Sequence, residues 1–235
     1  MQRIFLACMA FLLAANTWAA DTLLIAAGAG YRRPVTQLLE EFTKASGIKA
    51  EASFGNMKQV ETQAQQNPDI ALLIGDRAFL EPMGLTERFQ HLGTGKLVLV
   101  AARGQALAAI ADLRQPRFKR IAIPDRTKAV YGNAAATCLE RLNLAQPLAE
   151  RLLEVATVPQ VGAYLVTGEV DAGFVNRTEA LALAGMAIDA PQDCYDPIEL
   201  SVGVLKGRAN GVAARALLDY LASPAARKVL ERHGM

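Results

Sequence analysis

The chain has 235 residues, 52% of them hydrophobic and 20% charged, and its 25 Lys and Arg nearly cancel 23 Asp and Glu to leave a formal charge of +2. That much apolar material excludes a disordered chain and is enough to bury one large core or two modest ones. Neither the charge total nor any run of like charges supplies the basic stripe that nucleic-acid binding uses, and Pro and Gly fall without the period of a collagen-like or repeat architecture.

In chain order, Arg3 is followed by an apolar run from Ile4 to Ala15, then by Asn16, Thr17, Trp18, Ala19 and Ala20 before the polar Asp21 and Thr22. This is the order of a secretory leader, residues 1–20, cleaved after Ala19 or Ala20. The alternative is a retained anchor, but the run falls short of the roughly 20 apolar residues a span needs. With Cys8 lost in the leader, the exported chain keeps Cys138 and Cys194. In an oxidising compartment these form one disulfide or remain two separately buried thiols, and sequence supplies no distance to choose between them. No His or Cys stands near either at metal-ligand spacing, so neither a metal nor a cofactor is expected.

Leu23–Ala27 reads as a buried strand stopping at Gly28-Ala29-Gly30, after which Pro34 opens a helix with Val35, Leu38, Leu39 and Phe42 on one face, ended by Ser46-Gly47. A strand over 48–54, a polar helix to about Gln66 and a strand over 69–74 complete a βαβαβ unit. A helix over 77–83 ends at Gly84, and 96–101 is again a buried strand. The second half repeats the grammar with strands at 120–123, 153–156 and 171–175 and helices at 132–142 and 159–166, then a further helix. Ile198–Leu205 reads as a strand returning to the first half, closed by helices at 212–221 and 225–231. Alternation of this kind predicts an α/β protein of two lobes, each a mainly parallel sheet with helices on both faces, joined by two crossover strands. The expected division is 21–97 plus 202–235 for lobe 1 and 98–201 for lobe 2. Ligands of such sheets bind where strand ends lead into helix N-termini, which singles out the loops 28–33, 55–58, 125–131, 157–160 and 176–178.

Gly28-Ala29-Gly30 lacks the third small residue of a dinucleotide fingerprint, because Arg33 stands there. The better reading is an anion-accepting helix terminus, where glycines let amides face a cleft and the helix dipole adds partial positive charge. Catalysis has little to stand on: His91 and His233 are the only histidines, and there is no Gly-x-Ser-x-Gly elbow or His-Glu-x-x-His. A binding protein is favoured over an enzyme.

Ile25-Ala26-Ala27, Tyr31-Arg32-Arg33-Pro34, Ser53-Phe54-Gly55, Ile74-Gly75-Asp76, Lys96–Val100, Tyr131-Gly132, Thr167–Gly173 and Val204–Gly207 stand in a specific order and spacing. On these segments the chain, from about Leu23 onward, resembles the periplasmic molybdate and tungstate-binding proteins of ABC importers. It implies a type II Venus-flytrap fold in the periplasm that closes over a tetrahedral oxyanion and delivers it to an inner-membrane permease, here as a monomer. It also implies neutral donors: a Ser in the first loop, a Ser after the Ser-Phe-Gly strand, backbone amides that fall at Tyr131 and Val158, and a Tyr at the position of Asn176. Three hydroxyl positions have changed, the first to Gly28 or Ala29, the second to Asn56 or Met57 and the third to Asn176. The expected ligand contacts are therefore Gly28, Ala29, Gly30, Asn56, Met57, Tyr131, Val158 and Asn176. A charged clamp of Arg32, Arg33 and Lys58, with Arg126 and Lys128 in the third loop, would replace the lost hydroxyls, unless these side chains are ordinary surface charges. Tyr31 and Tyr131 would line the cleft or serve as hinge packing. The alternative to oxyanion capture for import is a sensor or scavenger that binds another solute, such as a small organic acid.

Overall fold

The computed structural model describes residues 22–208 and 211–235, so the expected leader and its cleavage site lie outside the described residues. Leu23–Gly28 forms β1, and its continuous apolar run is buried because sheet neighbours flank it and helices cover it. A single 3-10 turn, Ala29–Tyr31, leads into α1 (Arg32–Ser46), whose Val35, Leu38, Leu39 and Phe42 are buried at helical spacing and which ends at Gly47 in the left-handed conformation, φ 74°. There follow β2 (Ala50–Gly55), α2 (Met57–Gln66), β3 (Ile70–Asp76), α3 (Arg77–Leu80), β4 (Thr86–Gly95) and β5 (Leu97–Ala101). The second half runs β6 (Ile121–Pro124), α4 (Val130–Arg141), α5 (Ala145–Leu148), β7 (Leu152–Val155), α6 (Val158–Thr167), β8 (Ala172–Asn176), α7 (Arg177–Ala180) and β9 (Ala187–Asp189). The chain closes with β10 (Ile198–Leu205), α8 (Val212–Leu221) and α9 (Pro224–Arg232).

The strands form two five-stranded sheets of matching design, ordered β2-β1-β3-β10-β4 and β7-β6-β8-β5-β9. In each, three parallel strands are extended by an antiparallel strand that arrives from the other half of the chain: β10 beside β3, and β5 beside β8. The sheets exchange chain at Lys96 and again before Ile198. Leu97 already pairs with Asn176 in the second sheet, and Ile198–Ser201 already pair in the first, which moves the expected boundaries of 97/98 and 201/202 by one and four residues.

Two strands escape the periodicity. β4 carries Thr86, Glu87, Arg88, Gln90 and His91 and lies at the sheet edge, exposed at several positions, and β9 is a three-residue edge strand. Edge strands have one ladder unpaired and need not carry a buried apolar run. The helix expected over 77–83 is α3 continued by a 3-10 turn, Glu81–Met83, and it ends at Gly84 as expected.

Cys138 and Cys194 are bonded and buried, which ties α4 to the turn preceding β10. Among the described residues no helix is long and apolar enough to cross a membrane.

Candidate functional site

Four loops at the carboxyl ends of parallel strands, Gly28–Tyr31 after β1, Gly55–Met57 after β2, Ala129–Tyr131 after β6 and Thr157–Val158 after β7, surround a void of about 20 Å³ between the two sheets. That is room for little more than one water-sized body, so the lobes are closed upon each other. Backbone and side-chain bonds hold them there. The Met57 amide donates to the Lys128 carbonyl at 2.7 Å, Asn176 Nδ2 donates to the Gly30 carbonyl at 2.7 Å, and Thr178 Oγ1 donates to the His233 carbonyl at 2.9 Å.

The helix termini around the void differ in how they are capped. At α2 the cap is complete: Asn56 Oδ1 accepts from the Gln59 amide at 3.0 Å and Gln59 Oε1 accepts from the Asn56 amide at 2.9 Å. At α7 Asn176 Oδ1 accepts from the Glu179 amide at 2.9 Å. The 3-10 turn after Gly28, α4 after Ala129 and α6 after Thr157 have no side-chain cap. A helix start leaves its first amides without intrahelical partners. Here those amides, at Ala29 and Gly30, at Val130 and Tyr131, and at Val158, stand around the void with the positive ends of α4 and α6 behind them. The arrangement can hold a small anion by neutral donors and helix ends, without a counter-ion.

Of the expected contacts, Gly28, Ala29, Gly30, Asn56, Met57, Tyr131 and Val158 line the void. Asn176 does not. It is 1% exposed and both ends of its amide are committed, one to the α7 cap and one to Gly30 across the lobes. Met57 turns its thioether into the first lobe: a Cβ placed on Gly75 would lie 2.6 Å from its methyl group, and one on Gly28 would lie 3.4 Å from its sulfur. Contrary to the expected charged clamp, none of its cations lines the void. Arg32 lies over the Phe54 ring at 4.3 Å, Arg33 faces Glu179 at 3.5 Å, and Lys58 pairs with Glu61 at 2.7 Å, one turn along its own helix. Arg126 pairs with Glu154 and Lys128 with Asp125.

Sequence reasoning left Tyr31, Gly55, Ala129, Val130 and Thr157 off its list of contacts, although all of them line the void. Ala129 and Thr157 were discoverable as the residues just before the helix starts at Val130 and Val158. Tyr31 was named only as a possible lining residue. Its ring meets that of Tyr131 edge to face, centroids 6.0 Å apart, and both are buried. Burial raises both phenols well above their ordinary range, so each is a protonated donor at any physiological pH. The Tyr131 hydroxyl lies against Gly95, at the first exchange between the sheets, where a Cβ would collide with it. Asp76, 4% exposed at the end of β3, neighbours both phenols, and burial lifts its carboxyl to about 6 although the Glu199 amide donates to it at 3.0 Å. Among the described residues there is no group of three or more His, Cys, Asp or Glu placed to hold a metal.

A family model described as "Bacterial extracellular solute-binding protein" matches residues 23–235. The molybdate-binding protein ModA of Azotobacter vinelandii is 31% identical over 246 residues, covering 100% of this chain and 97% of that protein. The solved periplasmic molybdate-binding protein of Azotobacter vinelandii superposes with a TM-score of 0.83 at 23% identity, over 90% of this chain and 97% of that one, a likeness of fold. A protein named aconitate isomerase from Pseudomonas sp. is 25% identical over 231 residues, 91% of this chain and 87% of its own length.

Proposed function

The chain belongs to the bacterial extracellular solute-binding proteins, and from that premise we propose that it captures a small tetrahedral oxyanion of the molybdate or tungstate kind in the periplasm and hands it to an ABC permease. The observation that carries the reading is the set of uncapped helix starts, at Gly28, Ala129 and Thr157, gathered around one small void with no cation in its wall. Such a site stabilises a compact anion by amide donors and dipoles already held in place, so little ordering is left to offset on binding. The proposed contacts are Gly28, Ala29, Gly30, Tyr131 and Val158, while Asn56 and Met57 line the void with their own polar groups serving Gln59 and the Lys128 carbonyl. Asn176 acts in this reading as a latch between the lobes. The similarity to a molybdate-binding protein along the whole chain supports the same ligand class. In this scheme the protein works as a monomer after removal of residues 1–20.

The relative named aconitate isomerase favours a second reading, capture or conversion of a small organic acid. The lining speaks against it: a tricarboxylate brings several separate carboxylates, and no cation lines the void to pair with them.

Isothermal titration with molybdate, tungstate, sulfate, phosphate, citrate and aconitate tests both. Heat with molybdate or tungstate at a stoichiometry of one, and none with the tricarboxylates, is expected. Heat with a tricarboxylate alone would replace the first reading by the second.

A further inference from the structure

Tyr31 carries the one buried side-chain polar atom that has no hydrogen-bond partner among the described residues, its phenolic oxygen. The residue is 1% exposed and lines the void. A buried hydroxyl without a partner costs free energy, and native proteins rarely keep one without a use for it. Directly beneath its ring is Gly28, where a Cβ would lie 3.1 Å from Tyr31 Cδ2 and 3.3 Å from Cε2. Those distances are tighter than most side-chain contacts, so a side chain at residue 28 would press on the Tyr31 ring and move it by a few tenths of an ångström. The bare backbone at 28 thus leaves the Tyr31 ring undisturbed beside the void.

We infer that Tyr31 is a ligand-contacting, specificity-determining residue whose phenol supplies to the bound oxyanion the hydroxyl donor that position 28 lacks. The inference rests on the oxyanion reading of the cleft. A phenol kept protonated by burial can donate but has no charge of its own, which suits a site built from amides. Its reach from the 3-10 turn Ala29–Tyr31 places the donor on the first lobe, opposite the Tyr131 and Val158 amides of the second. The donor would thus be engaged fully only when both lobes enclose the ligand.

The test compares Tyr31→Phe with wild type by titration with molybdate and tungstate and by thermal melting without ligand. Loss of a hydrogen bond to a charged acceptor is expected to weaken binding about 10- to 100-fold, while the melting temperature of the free protein stays equal or rises by a few degrees because an unsatisfied hydroxyl has been removed. Wild-type binding that Tyr31→Phe leaves within threefold overturns the inference and leaves the oxyanion reading standing. No binding of any oxyanion by wild type overturns both. A Tyr31→Phe protein that melts clearly lower without ligand also overturns it, since the hydroxyl then has a structural partner. Gly28→Ser combined with Tyr31→Ala returns the hydroxyl to position 28. It is expected to bind at least tenfold more tightly than Tyr31→Ala alone, and equal affinities would count against the inference.

Discussion

Asp76 and Asn176 show how single side chains at the boundary between the lobes are used. Asp76 is buried, with an amide donor from Glu199, and burial is the largest influence on it; the nearby Glu199 carboxylate pushes the same way. Its carboxyl titrates at about 6 in the folded protein against about 4 for an ordinary aspartate. The folded state therefore holds a proton that the unfolded state has released between those values, and stability must fall as pH rises through that window. We expect the melting temperature of wild type, relative to Asp76→Asn, to be a few degrees more favourable at pH 5 than at pH 7.5. A difference between the two proteins that does not move with pH would show that Asp76 is hydrated in solution. Asn176 offers a second handle, because replacing it with Ala removes both a helix cap and a bond across the lobes. The bond across the lobes was not legible in the sequence, where Asn176 reads only as a missing tyrosine. A cap announces itself by local spacing, but a bond to Gly30 depends on a residue 146 positions away.

At the scale of elements the reading from sequence went furthest where one face of a segment is buried. Val35, Leu38, Leu39 and Phe42 mark α1 by their spacing, and the runs 23–27, 69–74 and 198–205 are apolar because their strands are covered on both sides. Thr86–Gly95 failed that test, since an edge strand borrows its order from β10 rather than from its own pattern. The helix starts form two groups. α2 and α7 are capped by asparagine and self-sufficient, whereas the turn after Gly28, α4 and α6 leave their amides open toward the void. Asn56→Ala should therefore destabilise the protein by about 1 kcal/mol, read by denaturant unfolding. Its effect on oxyanion affinity should be small, because the Asn56 oxygen serves Gln59. A large loss of affinity with unchanged stability would place the Asn56 amide on the ligand instead.

For the whole molecule, closure and covalent bracing are the two properties that matter. The lobes meet through Asn176 to Gly30, Met57 to Lys128, and Arg33 to Glu179, contacts that exist only when the cleft is shut. Asn176→Ala should shift the ligand-free protein toward open forms, seen as a larger radius of gyration by small-angle scattering, and saturating oxyanion should restore the compact value. An unchanged radius would mean that the remaining contacts suffice. The disulfide closes a long loop, with a sequence separation of 56. Reduction should lower stability by about 4 kcal/mol on the chain-entropy relation, visible as a lower melting temperature in the presence of dithiothreitol.

Composition and periodicity by themselves determined the class, most strands and helices though not the edge strands β4 and β9, the presence of two α/β units and four of the five loops singled out around the void, because burial of one face leaves its mark on covered helices and strands. Tertiary structure alone decided that Cys138 joins Cys194, that Arg32, Arg33 and Lys58 turn to other partners, and that Tyr31 stands over Gly28 with its hydroxyl unmatched. Those outcomes depend on distances between residues far apart in the chain, and such distances exist only once the two sheets have formed and closed on each other.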